Sequence, residues 1–292
     1  MNLDVKIVSV IINFNGLNDT CECIDSLLKS TIIPDIIVVD NASENNEGEI
    51  IQQRYPSVHV IISEINLGFT GGNNIGIRYA LKNHADFILL LNNDTIVDEL
   101  MINKLIKASS YKMVCAPAMY YYTRPDVLWY GGGKIDKKTG NVQHYVEKRE
   151  KEMICDFATG CCMLVPSRVF EYVGTLDEKY FMYCEDMEFC VRLYKKNIPV
   201  KYVPAAKLWH KTGMSSGGNE SAFSIYYLTR NRLNCLKQHA DYFPKTAYIY
   251  ALSSRIMRML QFLLKGKCEW KAFYKGIIDH SKGIYGFTSK YM

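Results

Sequence analysis

The 292-residue sequence has no apolar run long enough to cross a bilayer. A spanning helix needs about 18 or more consecutive apolar residues, and Arg255 and Arg258 interrupt the best candidate. The first residues also lack the basic segment and the small-residue cleavage site of a secretory signal. These absences predict a cytoplasmic protein, which can lie against the inner face of the cell membrane but does not span it.

Two common nucleotide-binding motifs are also missing. The glycine-rich element GFTGGNNIG at 68–76 fits neither the G-x-G-x-x-G spacing of dinucleotide sites nor the G-x-x-x-x-G-K-[ST] of a P-loop. The sequence therefore gives little support for a hydride-transfer enzyme or an NTPase. We expect this element to be a loop that enters a helix over Gly72–His84, with free amides that could meet an anion.

The ten cysteines show no paired metal-site spacing. Cys21 and Cys23 are one residue apart and Cys161 and Cys162 are adjacent, which does not suit a zinc site. We therefore predict reduced, mostly buried thiols, as is typical of a cytoplasmic protein.

The excess of positive over negative charge is small, but it is unevenly distributed along the chain. The formal net charge is +5, yet residues 1–200 carry 20 basic and 26 acidic side chains, whereas residues 201–292 carry 15 and 4. This asymmetry argues against a nucleic-acid partner and indicates a basic C-terminal third that faces an anionic surface.

Strand and helix patterns alternate over the first 115 residues. The predicted strands are Ile7–Asn13, Ile36–Val39, Val58–Ile62 and Phe87–Leu91, and the predicted helices are Asp19–Ser30, Gly72–His84 and Asp98–Ser109. Such alternation predicts an α/β fold with a mostly parallel sheet, whose ligands bind beyond the carboxyl ends of the strands. Asn or Asp clusters follow three of these strands, which together favour a polar ligand over simple turns.

Six segments in a fixed order carry a family resemblance. They are VSVIINFN at 8–15, VVDNAS at 38–43, NLGFTGGNN at 66–74, LLNND at 90–94, FMYCEDME at 181–188 and WHK at 209–211. The set resembles family 2 glycosyltransferases of the GT-A fold, and most of all the bacterial enzymes that build O-antigen, capsule and cell-wall polysaccharides. Rhamnosyl and galactofuranosyl transferases are common in that branch.

The resemblance implies a Rossmann-like, mostly parallel sheet flanked by helices. It places a catalytic domain over 1–240, with a nucleotide-donor half (1–115) and an acceptor half (116–240). Within the acceptor half, the mixed-charge segment Lys134–Glu152 indicates loops and a hairpin, and acceptor-binding residues should come from Asp156–Val165 and Tyr180–Tyr183. A basic, amphipathic helical tail over 241–292 would complete the chain.

Displacing a nucleoside diphosphate from a sugar calls for a cation on the leaving group and a base on the attacking hydroxyl. Asp94 resembles the last position of the family's D-x-D metal motif, and His210 resembles a further ligand, which suits Mg²⁺ or Mn²⁺. Asn92 and Asn93 stand where the family often has a second carboxylate, so metal affinity should be modest. Packing of His210 beside Trp209 is the alternative to metal binding.

Three carboxylates open the predicted helix after the FMYC segment. Asp186, paired with Glu185, resembles the family's catalytic acidic pair and is the predicted general base, although Glu188 and its neighbours could also simply cap the helix. One base with direct in-line attack would invert the anomeric configuration, and the resemblance favours inversion.

The remaining donor-binding candidates lie at the strand ends and on two helices. Asp40 would accept a hydrogen bond from the nucleobase, its family role, and Arg230 would pair with the diphosphate unless it is a solvated surface residue. The amide candidates are Asn13, Asn15, Asn73, Asn74, Asn92 and Asn93. Whether Asn73 and Asn74 touch the donor sugar or cap the glycine-rich turn stays open.

The tail segment Lys245–Lys265 forms an amphipathic wheel. Its apolar face comprises Ile249, Leu252, Ile256, Met259, Leu260 and Leu263, and its other face Arg255, Arg258, Gln261 and Lys265. This face could contact an anionic membrane, the protein's own core or a second subunit of a homo-oligomer, and the wheel does not separate these partners.

The sequence thus predicts a metal-dependent inverting glycosyltransferase. Its partners would be a nucleotide-sugar donor, with dTDP-L-rhamnose as the candidate, and a glycan or polyprenyl-diphosphate-linked acceptor. A galactofuranosyl, glucosyl or other hexosyl transferase is the alternative within the fold. A sugar nucleotidyltransferase or a non-catalytic nucleotide-sugar-binding module would be a different class of protein.

Overall fold

The computed structural model describes residues 5–212 and 221–288. Its strands are β1 (Ile7–Asn13), β2 (Asp35–Asp40), β3 (His59–Ile62), β4 (Phe87–Asn92), β5 (Thr95–Val97), β6 (Val114–Tyr121), β7 (Arg124–Tyr130), β8 (Gly133–Asp136), β9 (Asn141–His144), β10 (Met153–Cys155), β11 (Cys162–Pro166) and β12 (Val200–His210). Its helices are α1 (Leu17–Leu28), α2 (Glu47–Arg54), α3 (Gly68–Lys82), α4 (Met101–Ala108), α5 (Ser167–Val173), α6 (Glu185–Lys195), α7 (Ala222–Gln238), α8 (Lys245–Leu264) and α9 (Trp270–Ser281). Residues 1–4, on which the signal-peptide expectation also rests, lie outside the described residues.

The central sheet has the strand order β10-β12-β6-β11-β4-β1-β2-β3. Strand β1 pairs in parallel with β2 and β4, and β2 pairs in parallel with β3. The apolar run of β1 is buried because helices cover both faces of the sheet, as a parallel sheet requires. The predicted α/β GT-A fold with a helical extension is confirmed.

The register of these strands brings their polar ends together. Asn13 is the partner of Asp40 across β1 and β2, and Ile12 is the partner of Asn92 across β1 and β4. Because parallel strands end at the same edge of a sheet, the Asn and Asp clusters share one edge, where this architecture places ligands.

The glycine-rich element is helical, which corrects the predicted loop. Helix α3 begins at Gly68, four residues before the predicted start at Gly72. A Cβ at Gly76 would lie 2.3 Å from Cγ1 of Val10, so the glycine lets α3 approach β1 closely. Tertiary packing therefore outweighs the weak helix propensity of glycine here.

The acceptor half continues the same sheet. Strand β11 is antiparallel to β4 and to β6, and β12 is parallel to β6. The division at 115/116 between the two halves of the predicted catalytic domain falls inside β6, and both halves contribute strands to one sheet. The predicted hairpin is β8 with β9.

The tail is helical as predicted, and it packs against α7 through α8 and α9. Within 5–212 and 221–288, no helix combines the length and the hydropathy that crossing a bilayer would need. All ten cysteines fall in these ranges; they are free thiols, and eight are buried.

Candidate active site

The amide of Asn13 is the centre of a polar cluster at the end of β1. Its Nδ2 donates to Oδ1 of Asp40 at 2.7 Å, to Oγ of Ser43 at 3.0 Å and to Oε2 of Glu47 at 2.9 Å. Its Oδ1 accepts from the hydroxyl of Thr20 at 2.6 Å. The side-chain amide of Asn13 is thus bonded to four neighbouring side chains and supports the pocket, and its contact with the donor stays a prediction.

Asp40 keeps more capacity for a ligand than Asn13. The residue is 3% exposed, and its Oδ2 accepts only a long bond of 3.3 Å from the Ser43 amide. Asn15 has a left-handed backbone with φ 51°, and its Oδ1 accepts from the Glu44 amide at 2.8 Å. These contacts fold residues 43–47 over the end of β1.

Asn93 joins the same cluster through Thr20. Its Nδ2 donates to the Thr20 hydroxyl at 3.0 Å, and that hydroxyl donates to Asn13. A Cβ at Gly16 would lie 2.6 Å from Nδ2 of Asn93, so a side chain at position 16 would displace this amide. The strand-end asparagines therefore form one connected network.

A cavity of about 720 Å³ opens beside this network. Asn15, Glu44 and Phe14 line one side of it, and Phe181 and Phe287 line the other. It combines apolar ring faces with a few polar groups, which is typical of sites for small organic ligands.

Asp94 and His210 form a close pair at the end of the sheet. Oδ1 of Asp94 lies 3.1 Å from Nε2 of His210, and both residues are buried. Asp94 follows β4 in the turn before β5, and Thr95 of β5 pairs with His210 of β12. The backbone amide of Lys211 also donates to the Asp94 carbonyl at 2.9 Å. The ladder between β5 and β12 thus fixes this pair.

The pair fits a hard divalent cation. Adjacent ligands of an octahedral ion with bonds of about 2.0–2.1 Å lie about 3 Å apart, close to the 3.1 Å between Oδ1 and Nε2. The two atoms are also at hydrogen-bond distance. Burial lowers the pKa of His210, but the neighbouring Cys161 and the bond to Asp94 outweigh it and raise the pKa to about 10, so a cation would have to displace that proton. Burial raises the pKa of the nearby Cys161 thiol to about 11, so near neutral pH it is not a thiolate that would favour a soft metal. No cluster of three or more His, Cys, Asp or Glu ligands occurs in the described ranges, so the protein supplies few ligands and a diphosphate would have to supply others.

Asn92 makes no hydrogen bond to Asp94 or His210 among the described residues. Its Oδ1 is buried without a partner there, while its backbone amide donates to the Cys161 carbonyl at 2.9 Å. A buried acceptor without a donor costs free energy unless a ligand or a water satisfies it. Asn92 therefore stays a candidate for contact with the donor.

Asp186 lies in the first turn of α6, where its carboxylate accepts two backbone bonds. Oδ1 accepts from the Met187 amide at 2.7 Å, and Oδ2 accepts from the Gly160 amide at 3.1 Å. A Cβ at Gly160 would lie 3.1 Å from the Phe69 ring at the start of α3. Gly160 therefore positions Asp186 close to α3 through its backbone amide. The carbonyl of the next residue, Cys161, accepts a hydrogen bond from the backbone amide of Asn92.

Burial sets the electrostatics of the acidic pair. It raises the pKa of Glu185 well above that of an ordinary glutamic acid, and the adjacent Asp186 raises it further. Burial also raises the pKa of Asp186, but the amides of Gly160 and Met187 oppose that shift. Oε2 of Glu185 has no hydrogen-bond partner among residues 5–212 and 221–288. Glu185 is therefore the member of the pair that holds a proton more tightly, and Asp186 is the better candidate for the ionised base.

Glu188 has a structural role. Nε of Arg192 donates to both of its oxygens at 2.9 Å, and Nε2 of His239 lies 3.1 Å from Oε1. Burial would raise the pKa of Glu188, but the bonds from His239 and Arg192 outweigh it and lower the pKa. Glu188 thus ties α6 to the end of α7.

A strained turn precedes the acidic pair. Tyr183 and Cys184 have φ values of 67° and 70°, which L-residues adopt at a cost of about 1–3 kcal/mol each. Nδ2 of Asn231 on α7 donates to the carbonyls of Met182 and Tyr183 at 2.8 and 3.0 Å. Asn231 therefore holds the turn that aims Glu185 and Asp186.

Asn73 and Asn74 lie on α3 and are engaged inside the protein. Nδ2 of Asn73 donates to the Phe69 carbonyl at 2.9 Å. Asn74 donates to the Leu176 carbonyl at 2.8 Å and accepts from the Leu176 amide at 3.0 Å. These bonds favour the structural alternative, in which Asn74 anchors the chain before α6 and does not touch the donor.

Arg230 is 0% exposed, which contradicts the interpretation of a solvated surface residue. Its Nη2 is buried without a hydrogen-bond partner among the described residues, and its pairing with a diphosphate stays a prediction. Nη1 donates to the Tyr226 hydroxyl at 3.1 Å, and Nε donates to Asn231 at 2.9 Å. The guanidinium also lies 4.9 Å from the centre of the Tyr227 ring. Helix α9 packs against α7, the helix of Arg230, at Tyr226 and Thr229, a contact between distant segments that an amphipathic pattern cannot reveal.

Sequence reasoning missed several supporting residues. They are Thr20, Ser43, Glu47, Gly160, Lys211 and Asn231. Lys211 binds Asp19 and Glu22 on α1 at 2.6 and 2.7 Å, which holds the end of β12 beside Asp94. Ser43 and Lys211 lie in the family segments VVDNAS and WHK, and Gly160 lies in the predicted acceptor stretch. Thr20, Glu47 and Asn231 have no signal in one sequence, because their partners are distant along the chain.

These elements are those of a GT-A fold with polar groups at the carboxyl edge of its parallel strands. The family model described as "Glycosyl transferase family 2" matches residues 9–174, more than half of the chain. The chain therefore belongs to glycosyl transferase family 2.

Curated relatives carry matching descriptions. The chain is 25% identical over 260 residues to the "dTDP-rhamnosyl transferase RfbF" of Shigella flexneri, covering 87% of each chain. It is 28% identical over 214 residues to the "Low-salt glycan biosynthesis hexosyltransferase Agl10" of Haloferax volcanii, 68% of this chain and 66% of that relative. The match thus spans about two thirds of the latter's length. The resemblance to rhamnosyltransferases is confirmed by the first of these matches.

Solved structures agree on the fold. GalNAc-T7, crystallised with UDP, GalNAc and Mn²⁺, superposes with a TM-score of 0.71 at 15% identity, over 98% of this chain and 59% of that one. A complex of S. aureus TarS 1-349 with UDP-GlcNAc gives 0.59 at 14% identity, over 96% and 82%. At these identities the likeness supports the fold alone.

Proposed function

We propose that this protein transfers a hexosyl group from a nucleoside-diphosphate donor, with dTDP-L-rhamnose as the candidate, to a glycan or polyprenyl-diphosphate-linked acceptor in cell-surface polysaccharide synthesis. The carrying observation is that two adjacent residues connect the groups: Gly160 donates to Asp186, and Cys161 lies beside the Asp94–His210 pair. The description of RfbF as a dTDP-rhamnosyl transferase supports the choice of donor, because its alignment covers 87% of each chain.

In this proposal the cation would be Mg²⁺ or Mn²⁺, held by Asp94 and His210 as in the metal-dependent enzymes of this fold. Such a cation, when bound, would neutralise charge on the leaving diphosphate. Asp40 accepts a hydrogen bond from an N–H of the pyrimidine base, using the capacity left on its Oδ2. The cavity beside Asn15 and Phe181 would hold part of the donor.

Asp186 acts as general base on the acceptor hydroxyl. The amides of Gly160 and Met187 fix its carboxylate, so one oxygen lone pair can take the proton as the hydroxyl oxygen bonds to the anomeric carbon. The bond from that carbon to the diphosphate breaks on the opposite side, and its electrons leave with the diphosphate. A single displacement of this kind inverts the anomeric configuration.

The test is a donor panel with the full chain and a synthetic lipid-linked acceptor. dTDP-L-rhamnose, UDP-galactofuranose and UDP-glucose are each incubated with Mn²⁺, and the product mass and its anomeric configuration by NMR are read. Transfer from dTDP-L-rhamnose with inversion supports the proposal. Transfer from another donor would assign the alternative hexosyl specificity, and retention would refute the displacement by Asp186.

Two further outcomes would assign another class of protein. Formation of a nucleotide sugar from a nucleoside triphosphate and a sugar phosphate would indicate a nucleotidyltransferase. Donor binding without transfer to any acceptor, and without hydrolysis, would indicate a binding module. Asp186→Asn serves as the control that separates enzyme-dependent transfer from background.

A further inference from the structure

Helix α8 packs on the protein with its less apolar side. The side chains that it buries are Ala247, Ala251 and Phe262, with Arg255 half-buried beside them. Its exposed large apolar residues are Ile249, Tyr250, Ile256, Met257, Leu260, Leu263 and Leu264. At 100° per residue these seven fall on the half of the helix opposite to Ala251 and Phe262. This exposed set is called the outer stripe below.

The outer stripe is strongly exposed. Leu264 is 87% exposed, Ile249 61% and Met257 58%. A contiguous apolar surface of this kind marks a contact site in a soluble protein. The wheel left open whether the apolar face packs on the catalytic domain, and the structure excludes that partner for the outer stripe. Leu252 and Met259, also assigned to that face, are half-buried at its border.

The charges around the stripe have one sign. Between Asp241 and Glu269 the sequence holds five basic residues and no acidic one. Lys245 and Lys265 are exposed at the two ends of α8. On the wheel, Lys245 lies at the edge of the outer stripe, whereas Arg255, Arg258 and Lys265 lie on the side of Ala251 and Phe262. An apolar helix face on a segment whose only charges are cations complements the surface of a bilayer that contains anionic lipids.

A second copy of the chain fits these charges less well. Two-fold contact of one outer stripe with another would bring the basic flanks of both copies together, with no carboxylate on this segment to compensate. Like charges brought together in this way destabilise an interface.

We propose that the outer stripe docks the protein on an anionic membrane surface. The helix lies in the plane of the interface over about 30 Å, the stripe enters the headgroup region, and Lys245 and Lys265 stay at phosphate level. The proposal does not rest on the identity of the donor, because docking needs no substrate.

The experiment measures flotation of the full chain with vesicles of phosphatidylcholine and phosphatidylglycerol. The test variant carries Met257→Gln, Leu260→Gln and Leu264→Gln, which keep helix propensity and remove apolar surface. The control variant carries Leu28→Gln, Ile50→Gln and Tyr172→Gln, which are exposed residues of other helices. Thermal unfolding of both variants checks that they fold.

We expect the partition constant of the test variant onto the vesicles to be lower than that of wild type by about tenfold or more. The control variant should match wild type. Replacing Lys245 and Lys265 by Gln should cost about fivefold for each residue on anionic vesicles and nothing on pure phosphatidylcholine. Equal binding by wild type and the folded test variant would overturn the proposal. So would a wild-type dimer, seen by analytical ultracentrifugation, that the test variant disrupts while vesicle binding is absent.

Transfer to a short-chain, water-soluble acceptor without vesicles separates this proposal from the proposed function. Test and wild-type chains should show equal turnover there. Absence of turnover by the wild-type chain, with vesicle binding lost only in the test variant, would count against the proposed function alone.

Discussion

Oδ1 of Asp94 lies 3.1 Å from Nε2 of His210, although 115 residues separate the two along the chain. The pairing of Thr95 with His210 produces this contact, because β5 is the short strand that directly follows Asp94. A turn and a strand end thus bring together one hard oxygen and one imidazole nitrogen, a donor set that suits Mg²⁺ or Mn²⁺.

The first prediction concerns the cation. His210→Gln should weaken Mn²⁺ binding by about 100-fold or more in the presence of dTDP, because few other protein ligands are at hand. Titration calorimetry measures the affinity. His84→Asn, at an exposed residue of left-handed backbone past the end of α3, is the control and should bind like wild type. Equal Mn²⁺ affinity of His210→Gln and wild type would show that His210 does not bind the cation.

The second prediction concerns the base. Asp186→Asn should lower kcat by about 10²–10⁴-fold with little change in the donor KM, since the amide can still accept from Gly160 and Met187. Steady-state kinetics with saturating acceptor measures both constants. Because burial raises the pKa of Asp186, kcat/KM should fall with decreasing pH at a higher pH than for an exposed aspartate. A larger loss of kcat for Glu185→Gln than for Asp186→Asn would identify Glu185, and not Asp186, as the general base.

The third prediction concerns stability and pH. The raised pKa of Glu185 means that the folded state holds the proton more tightly than the unfolded state does. Stability from this group is therefore greatest at low pH and is lost as pH rises from the unfolded pKa, about 4.3, through the folded one. Relative to wild type, Glu185→Gln should gain free energy of unfolding between about pH 4.5 and pH 8.

Urea unfolding at several pH values measures that difference. Glu171→Gln, at an exposed residue of α5, is the control and should show a difference that does not depend on pH. The same flat result for Glu185→Gln would mean that the Glu185 carboxyl is not a buried ionisable group.

The fourth prediction concerns Gly68. It has φ +71°, and a Cβ there would lie 2.2 Å from the Phe181 carbonyl oxygen. Gly266 has φ +65° with nothing within 4 Å of such a Cβ. Both Gly→Ala changes carry the cost of the left-handed backbone, about 1 kcal/mol, but only Gly68→Ala adds a backbone clash.

Gly68→Ala should therefore destabilise the protein by at least about 2 kcal/mol more than Gly266→Ala, which thermal or urea unfolding measures. It should also lower activity, because Phe181 begins the segment that leads to Asp186. Similar stability losses for both variants would show that α3 and the Phe181 segment can separate at no cost.

Much of the catalytic edge could be predicted from local signals. Strand β1 was predicted with the bounds that the structure has, because its continuous apolar run is typical of a doubly buried strand. The order of β2, β3 and β4 follows from the same patterns, and parallel pairing then brings Asn13, Asp40 and Asn92 to one edge. Helix α6 and its three acidic residues were also predicted where they occur.

The start of α3, the burial of Arg230 and the orientation of α8 could not be predicted in this way. Each depends on contacts with distant segments: Phe181 lies against Gly68, α9 packs on α7, and α8 packs on both α7 and α9. A helical wheel separates an apolar from a polar face, but it does not say which face meets the protein.

The sequence by itself determined the family, the alternation of strands and helices, and the residue types at the strand ends. These properties depend on local periodicity and on motifs in a fixed order. Tertiary structure alone decided which of those residues still have capacity for a ligand. The side-chain amides of Asn13 and Asn74 bind internal partners, whereas Oδ1 of Asn92 and Nη2 of the buried Arg230 have no partner among the described residues, and Asp94 and His210 lie 3.1 Å apart. Hydrogen-bond satisfaction is a property of the packed protein, because each donor and acceptor finds its partner only when distant segments meet.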